Sequence, residues 1–340
     1  MTGSGPGIEA ATAPTPPRGT RADTARSRSD VTFLHPALFY RGEDEFLAGV
    51  VPFVRAGLGD GQPVAVAVPG ERVELVRDEL GTDGHRVAFV DMARDGRNPG
   101  RILPGILLEF AERHPAAVVR IVAEPVWPGR SLIEYPACAQ HEALVNTAFD
   151  GRGATVLCPY DAVALPEHVL ADAEATHPLL LDASGAHTSP RYAPERIADA
   201  YNAPLPEPNG ALLGGGDLLF AAGDISRPRM QAATHAARLG MAGPRIVDLE
   251  LAVNELATNS VVHGGGTGSM RLWAEDGALV CEVRDEGLLA DPLAGRRPVP
   301  PTRPGGRGLL MVNHLADLVR LHRAADGLTV RIYFTLRPPA

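Results

Sequence analysis

The sequence predicts an α/β protein in two parts, a three-layer α/β domain over about residues 31–185 and an α+β sandwich over 216–340. Three observations predict it. In the first part short apolar runs alternate with longer amphipathic segments, the pattern of a mainly parallel sheet covered on both faces. In the second, helical periodicity gives way to alternating runs joined by short turns. Between the two, residues 186–215 include the Pro-rich stretch SPRYAPERIADAYNAPLPEPNG and read as a linker with one short helix.

Taken in order, residues 1–30 are rich in Pro, Gly, Ser, Thr and Arg, cannot bury enough apolar surface to offset chain entropy, and are expected to be a disordered tail. The strands of the first part are PVAVAVP (63–69), RVAFVD (86–91), AVVRIVAEP (117–125) and ATVLCP (154–159). Helices with apolar residues three and four apart intervene: EDEFLAGVVPFVRAGL, GERVELVRDEL, GRILPGILLEFAERH and CAQHEALVNTAFD. In the second part DLLFAAGD (217–224) is a strand, and Ser226 is placed to cap a helix that has Pro228 in its first turn and Gly240 after its end. Pro244 opens a long helix to His263, a hairpin turns at Glu275-Asp276-Gly277, RGLLMVNHLADLV is helical, and a last hairpin closes over Asp326-Gly327. The order is β-α-α-β-β-α-β-β, an antiparallel sheet with helices on one face.

Composition narrows the functional classes. The 340 residues are 45% apolar yet contain no apolar run of membrane-spanning length and no signal-peptide centre in the first thirty, so a cytoplasmic protein without a membrane partner is expected. Cys138, Cys158 and Cys281 match neither a disulfide framework nor a zinc pair. A net charge of −9 argues against direct nucleic-acid binding and for a basic partner surface. Every basic side chain besides His is Arg, and with no Lys the chain can be neither a Walker-A ATPase, a Gly-rich-loop kinase nor a Schiff-base enzyme.

Against that background NELATNSVVHGGG (254–266) stands out. Steps of four on a helix advance by about 40°, so Glu255, Asn259 and His263 form one polar stripe opposite Ile246, Leu249, Val253 and Leu256. Taken alone, such a stripe reads as a solvated face. Two further stretches point to a ligand. Asp285-Glu286-Gly287 ends a strand with a carboxylate able to accept from an exocyclic amine such as adenine N6. Gly305-Gly306-Arg307-Gly308 precedes a helix, where backbone N–H groups and the helix N-terminus favour phosphate.

With these three stretches in order, residues 216–338 resemble the GHKL ATPases, the group of gyrase, Hsp90, histidine kinases and MutL, and within it the bacterial anti-sigma factors that are serine/threonine kinases. The resemblance implies ATP and Mg²⁺ as cofactors. It assigns Asn259 to Mg²⁺, Glu255 to general base, Asp285 to adenine, and Gly287, Gly305, Gly306 and Gly308 to the pocket and its lid. Arg307 lies either near the phosphates or on a solvated lid, and His263 reads as a cap or packed imidazole. The pattern ends in Asp317, and it departs from the family at Leu289, where a second Gly is usual.

The first part carries HPALFY (35–40), AEPVW (123–127), YPACAQHEALVN (135–146), CPYD (158–161) and THP (176–178) at strand ends and on one helix. These resemble the MEDS domain, a bacterial sensory module similar to RecA/KaiC-type ATPases, which implies a sensor of an unidentified small-molecule ligand. Glu124, Trp127, Glu142, Asn146, Tyr160 and Asp161 either line its pocket or form a network that fixes loops. His35, Cys158 and His177 are not spaced as a common zinc motif, and packed or strand-end roles are expected for them.

The resulting expectation is a signalling regulator, in which a sensory domain controls an anti-sigma factor and serine/threonine kinase that acts on a sigma factor and its antagonist protein, as a homodimer. One alternative is a sensor histidine kinase, for which His235 is the candidate acceptor. Another is a module without catalysis that sequesters its partner in a nucleotide-dependent way.

Overall fold

A computed structural model describes residues 33–299 and 305–336, so the tail expected over residues 1–30 lies outside the described residues. In the first part the elements run β1 (Phe33–Leu34), β2 (Pro36–Tyr40), α1 (Gly42–Gly59), β3 (Val64–Val68), α2 (Gly70–Leu80), β4 (Val87–Asp91), α3 (Pro99–Ile102) and α4 (Leu108–Arg113). They continue through β5 (Val119–Ala123), α5 (Tyr135–Ala148), β6 (Ala154–Asp161), α6 (Glu167–Thr176), β7 (Leu179–Asp182), β8 (Gly185–Thr188) and α7 (Pro194–Ala200). The sheet order is β4-β3-β5-β6-β2-β7-β8, with β1 also on β6, and every pairing is parallel except β7 with β8.

All five residues of β3, VAVAV, are buried, because helices cover both faces of the sheet and no solvent face demands alternation. On one side Phe46, Val50 and Val54 of α1 and Val76 of α2 pack against it. On the other stand Leu107, Cys138, Val145 and Val169 from the segment 99–113, α5 and α6. That segment is not one α-helix as periodicity suggests. Pro104 has no N–H to continue the ladder, and a π turn at Leu103–Leu107 separates α3 from α4. Of HPALFY, read from the sequence as a strand-end cluster, Pro36–Tyr40 form the inner strand β2 between β6 and β7, with His35 just before it.

The second part has the expected order: β9 (Leu218–Ala221), α8 (Ser226–Arg238), α9 (Gly243–His263), β10 (Thr267–Glu275), β11 (Ala278–Asp285), α10 (Gly308–Leu315), β12 (Leu318–Ala324) and β13 (Gly327–Thr335). The sheet is antiparallel in the order β12-β13-β11-β10-β9. The β10–β11 turn needs two left-handed residues, and Asp276 and Gly277 supply φ of 47° and 75°. Ser226 does not cap α8. It is the first residue inside the helix, and Arg227 pairs with Asp224 beside it. Leu249, Val253 and Leu256 of α9 bury the inner sheet face against Met270, Leu272, Cys281 and Ile332. The outer face holds the buried Glu282 among Arg271, Arg284 and Arg331, and Pro206 and Glu207 lie on it. Glu207 pairs with Arg271, and Pro206 O accepts from Arg331 at 2.7 Å.

The two sheets are joined around α10. Asn98, the N-cap of α3, is buried; its Nδ2 donates to Asn313 O at 2.8 Å and its Oδ1 accepts from Gly100 N at 3.0 Å. Gly100 has no side chain because a Cβ there would strike the Asn313 carboxamide. Arg97 donates to Thr335 Oγ1 at 3.1 Å, and Arg320 donates to Ile133 O at 2.9 Å. Leu293, from the segment after β11, packs into the core of the first part. Asn98→Ala leaves the Asn313 carbonyl and the Gly100 amide without their buried partner, which costs on the order of 1–3 kcal/mol. We expect a lower urea midpoint for this variant and no change for Arg94→Ala, whose partner Asp95 lies with it at the surface.

Candidate functional site

The polar stripe of α9 faces a cavity of about 540 Å³ between that helix, the end of β11, the segment after it and the start of α10. Its apolar wall is Leu256, Val283, Leu289, Leu293, Leu309 and Val330. Asn259, Asp285, Gly287, Gly306 and Gly308 also line it, so five of the eight residues singled out by motif share one space. A cavity this large, mostly apolar and with a few convergent polar groups, has the form of a small-molecule site.

Local structure aims these groups. β11 ends at Asp285, whose Oδ2 accepts from Ser260 Oγ at 2.6 Å and whose Oδ1 accepts from Gly287 N at 2.8 Å. Both oxygens are thereby oriented, and each retains a lone pair for a ligand donor. Gly287 is needed because a Cβ there would stand 2.9 Å from His263 O and 3.0 Å from Gly264 Cα, both backbone atoms that cannot swing away. Gly308, the first residue of α10, abuts the catalytic candidates: its added Cβ would lie 2.8 Å from Glu255 Oε2 and 3.2 Å from Asn259 Nδ2. Glu255 thus stands one turn before Asn259, half-buried and against the start of α10.

The remaining residues divide. Gly305 and Arg307 are exposed beside Gly306, and Arg307 is the N-cap residue of α10. Gly305 and Gly306 both have left-handed φ, 74° and 77°, which turns the chain into the helix. His263, expected as a cap or packed side chain, is exposed on the cavity wall. Asp317 is structural: Oδ2 accepts from Thr335 N at 2.7 Å and pairs with Arg245 at 3.0 Å. Leu289, the departure from the resembling family's second glycine, contributes apolar wall.

In the first part the candidate pocket residues separate into two buried clusters. At the carboxyl ends of β2, β5 and β6, Glu124 accepts from Tyr40 at 3.1 Å, pairs with Arg72, and shares that guanidinium with Asp161 at 3.7 Å. Burial pushes the Glu124 carboxyl up to about 7 against the pull of Arg72. Trp127 lies instead under the guanidinium of Arg130. The second cluster brings His35, Cys158 and His177 together with Glu142, all buried, although their spacing in sequence gave no sign of it. Burial and the neighbouring His177 push the His35 imidazole down to about 4, so it is neutral near pH 7.

The cavity geometry generates a direct test. Asn259→Ala and Asp285→Ala each remove one polar group from the wall without touching the apolar core. Calorimetric titration of ATP with Mg²⁺ is expected to show affinity lowered at least tenfold in both, and equal affinities in all three proteins would remove the site assignment.

Residues 34–178 match the MEDS family, the methanogen/methylotroph, DcmR sensory domain, and residues 221–334 match the histidine kinase-like ATPase domain. No curated protein matches the chain. Among solved structures, the RsbU and RsbW domains of Rv1364c from Mycobacterium tuberculosis align at 23% identity over 37% of this chain and 34% of that one, with a TM-score of 0.27. The match thus spans about a third of that protein. Among the described residues no helix is long and apolar enough to cross a membrane. The chain joins a MEDS sensory domain to a histidine kinase-like ATPase domain.

Proposed function

We propose that the protein is a signalling regulator in which the MEDS domain, residues 31–185, controls an ATP-dependent anti-sigma factor and serine/threonine kinase domain over 216–340. The observation that carries this reading is the convergence of Asn259, Asp285, Gly287, Gly306 and Gly308 on one cavity, with Glu255 behind Gly308. Asp285 and the apolar wall suit an adenine ring, and the amides of Gly306 and Gly308 at the start of α10 suit phosphates. Asn259 offers a carboxamide oxygen to a hard cation, and Mg²⁺ bound there would neutralise charge on the phosphates.

In the reaction this reading requires, Glu255 takes the proton of an incoming Ser or Thr hydroxyl as its oxygen bonds to the γ-phosphorus. The bond from that phosphorus to the β-phosphate oxygen breaks, and ADP leaves. The seryl acceptor belongs to an antagonist protein, and the ATPase domain sequesters a sigma factor, whose basic surface would complement the −9 charge of this chain. Control by the MEDS domain is supported by Leu293 and Arg296. Both belong to the segment that walls the cavity, and both are buried. Arg296 also lies close enough to Cys138 of α5 for each to influence the titration of the other.

The histidine-kinase alternative is not supported by the position of His235. It lies half-buried on α8, which packs along α9 inside the ATPase fold, with its Nε2 beneath Gly214. A second reading does have an observation behind it: Leu289 at the cavity wall favours nucleotide-dependent sequestration without transfer.

Glu255→Gln separates these readings. As general base its loss slows transfer by about 10²- to 10⁴-fold and leaves ATP affinity and sigma-factor binding nearly intact. Single-turnover phosphorylation of the antagonist is the measurement, and transfer unimpaired in the variant would refute the role. The product is expected to be acid-stable; an acid-labile phosphate on His235 would favour the two-component alternative.

A further inference from the structure

We propose that His35, Glu142, Cys158 and His177 bind one divalent transition-metal ion, zinc or a close analogue, inside the MEDS domain. The four side chains come from different elements: the residue between β1 and β2, the middle of α5, β6, and the residue after α6. None is more than 2% exposed. One ligand atom from each lies within 4.8 Å of the others.

The hydrogen bonds around the cluster decide where the ring protons sit. Asn146 Nδ2 is 2.9 Å from Thr176 O and 3.3 Å from Glu142 O, both carbonyls, so the amide nitrogen faces them and its Oδ1 faces His35 Nδ1 at 3.2 Å. His35 Nδ1 therefore carries the proton. His177 Nδ1 is 2.8 Å from Ala173 O, again an acceptor, and carries its proton too. Both Nε2 atoms are left with lone pairs turned inward. They converge on the same Glu142 Oε2, at 3.3 Å from His35 and 3.4 Å from His177. The Cys158 thiol can donate to His35 Nε2 at 3.4 Å. Among the described residues no donor makes a well-formed hydrogen bond to His177 Nε2 or to either Glu142 oxygen, although the buried Tyr160 hydroxyl and Cys158 thiol stand close enough to Glu142 to interact with it. Lone pairs facing one another in a desolvated space are costly unless a cation sits among them.

The distances fit such a cation. Bonds of about 2.0–2.3 Å to a tetrahedral zinc place neighbouring donors about 3.3–3.8 Å apart. Three of the six donor separations are 3.3, 3.4 and 3.4 Å. Two imidazoles, a thiolate and a carboxylate suit zinc and its analogues, not magnesium or calcium, which take oxygen. The charges also balance: a thiolate and a carboxylate against a dication leave the buried site neutral. On loading, the Sγ–H proton of Cys158 leaves to solvent as the sulfur–metal bond forms, so no oxidant or reductant is involved. The outer contacts from Asn146 and Ala173 hold the imidazoles in the ligating tautomer, as the second shell of a metal site does. Four protein donors close the site, which marks it as structural, tying α5 and α6 to β2 and β6.

The test uses the full chain, purified without a histidine tag and stripped with chelator. Titration with Co²⁺ is expected to saturate at one equivalent per chain with a thiolate charge-transfer band. Zn²⁺ should displace the band and raise Tm. Cys158→Ser should lose the band, while Cys138→Ser and Cys281→Ser keep it. If Cys158→Ser fails to fold, X-ray absorption of the zinc-loaded wild type decides: one sulfur with nitrogen and oxygen donors supports the site, and an oxygen-only shell overturns it. Absence of stoichiometric metal in the wild type, or a band unchanged in Cys158→Ser, also overturns it and leaves the cluster as a buried ion pair.

Discussion

The last carbonyls of α10 have no partner within their own helix, and much of the molecule depends on how they are satisfied. Asn98 reaches Asn313 O from the α/β part, and Arg245 at the start of α9 donates to Leu315 O at 2.9 Å. Arg245 is itself held between Asp248 and Asp317. The C-terminal end of α10 is thus clamped from both parts of the chain. Its other end begins at Gly308, against Glu255 and Asn259, so the clamp also sets the spacing of the cavity's polar groups.

The segment between β11 and α10 extends this dependence. Leu293 packs into the α/β core and Arg296 is buried, its carbonyl-linked turn held by Arg296 N to Leu293 O at 2.9 Å. Asn313 Nδ2 donates to Gly295 O at 3.0 Å, so the same residue that receives Asn98 also fixes this segment. A change in the packing of α3 or α5 has a short route to the cavity wall. In the proposed function that route is what a sensory domain needs, since a regulator acts only by favouring one arrangement of the site over another. The proposed metal site lies on α5 as well, through Glu142, and would stiffen that helix relative to the sheet.

Much of the architecture was legible because it rests on short-range patterning. The β-α-α-β-β-α-β-β order, the long helix ending at His263, the turn at Asp276-Gly277 and four of the strands in the first part follow from periodicity and turn chemistry. The short strands were not legible. β2 is five residues that open on Pro36, and β7 and β8 have four residues each, too few for a period to register. Pro104 was visible, but whether a proline ends a helix or only widens one turn depends on what packs around it.

For the candidate site on α9, sequence alone singled out the residues and their order, because a stripe at four-residue spacing and glycines before a helix are local facts about one chain segment. Only the tertiary structure decided that Ser260 orients Asp285, that Gly308 touches Glu255, and that His263 faces the cavity while Asp317 does not serve it. The buried cluster shows the limit most clearly. His35, Glu142, Cys158 and His177 were each conspicuous, yet no spacing rule connects them, since a parallel sheet brings together strands that are far apart in sequence. Their meeting is a product of the strand order β6-β2-β7 and of α5 lying across it, which only folding could supply.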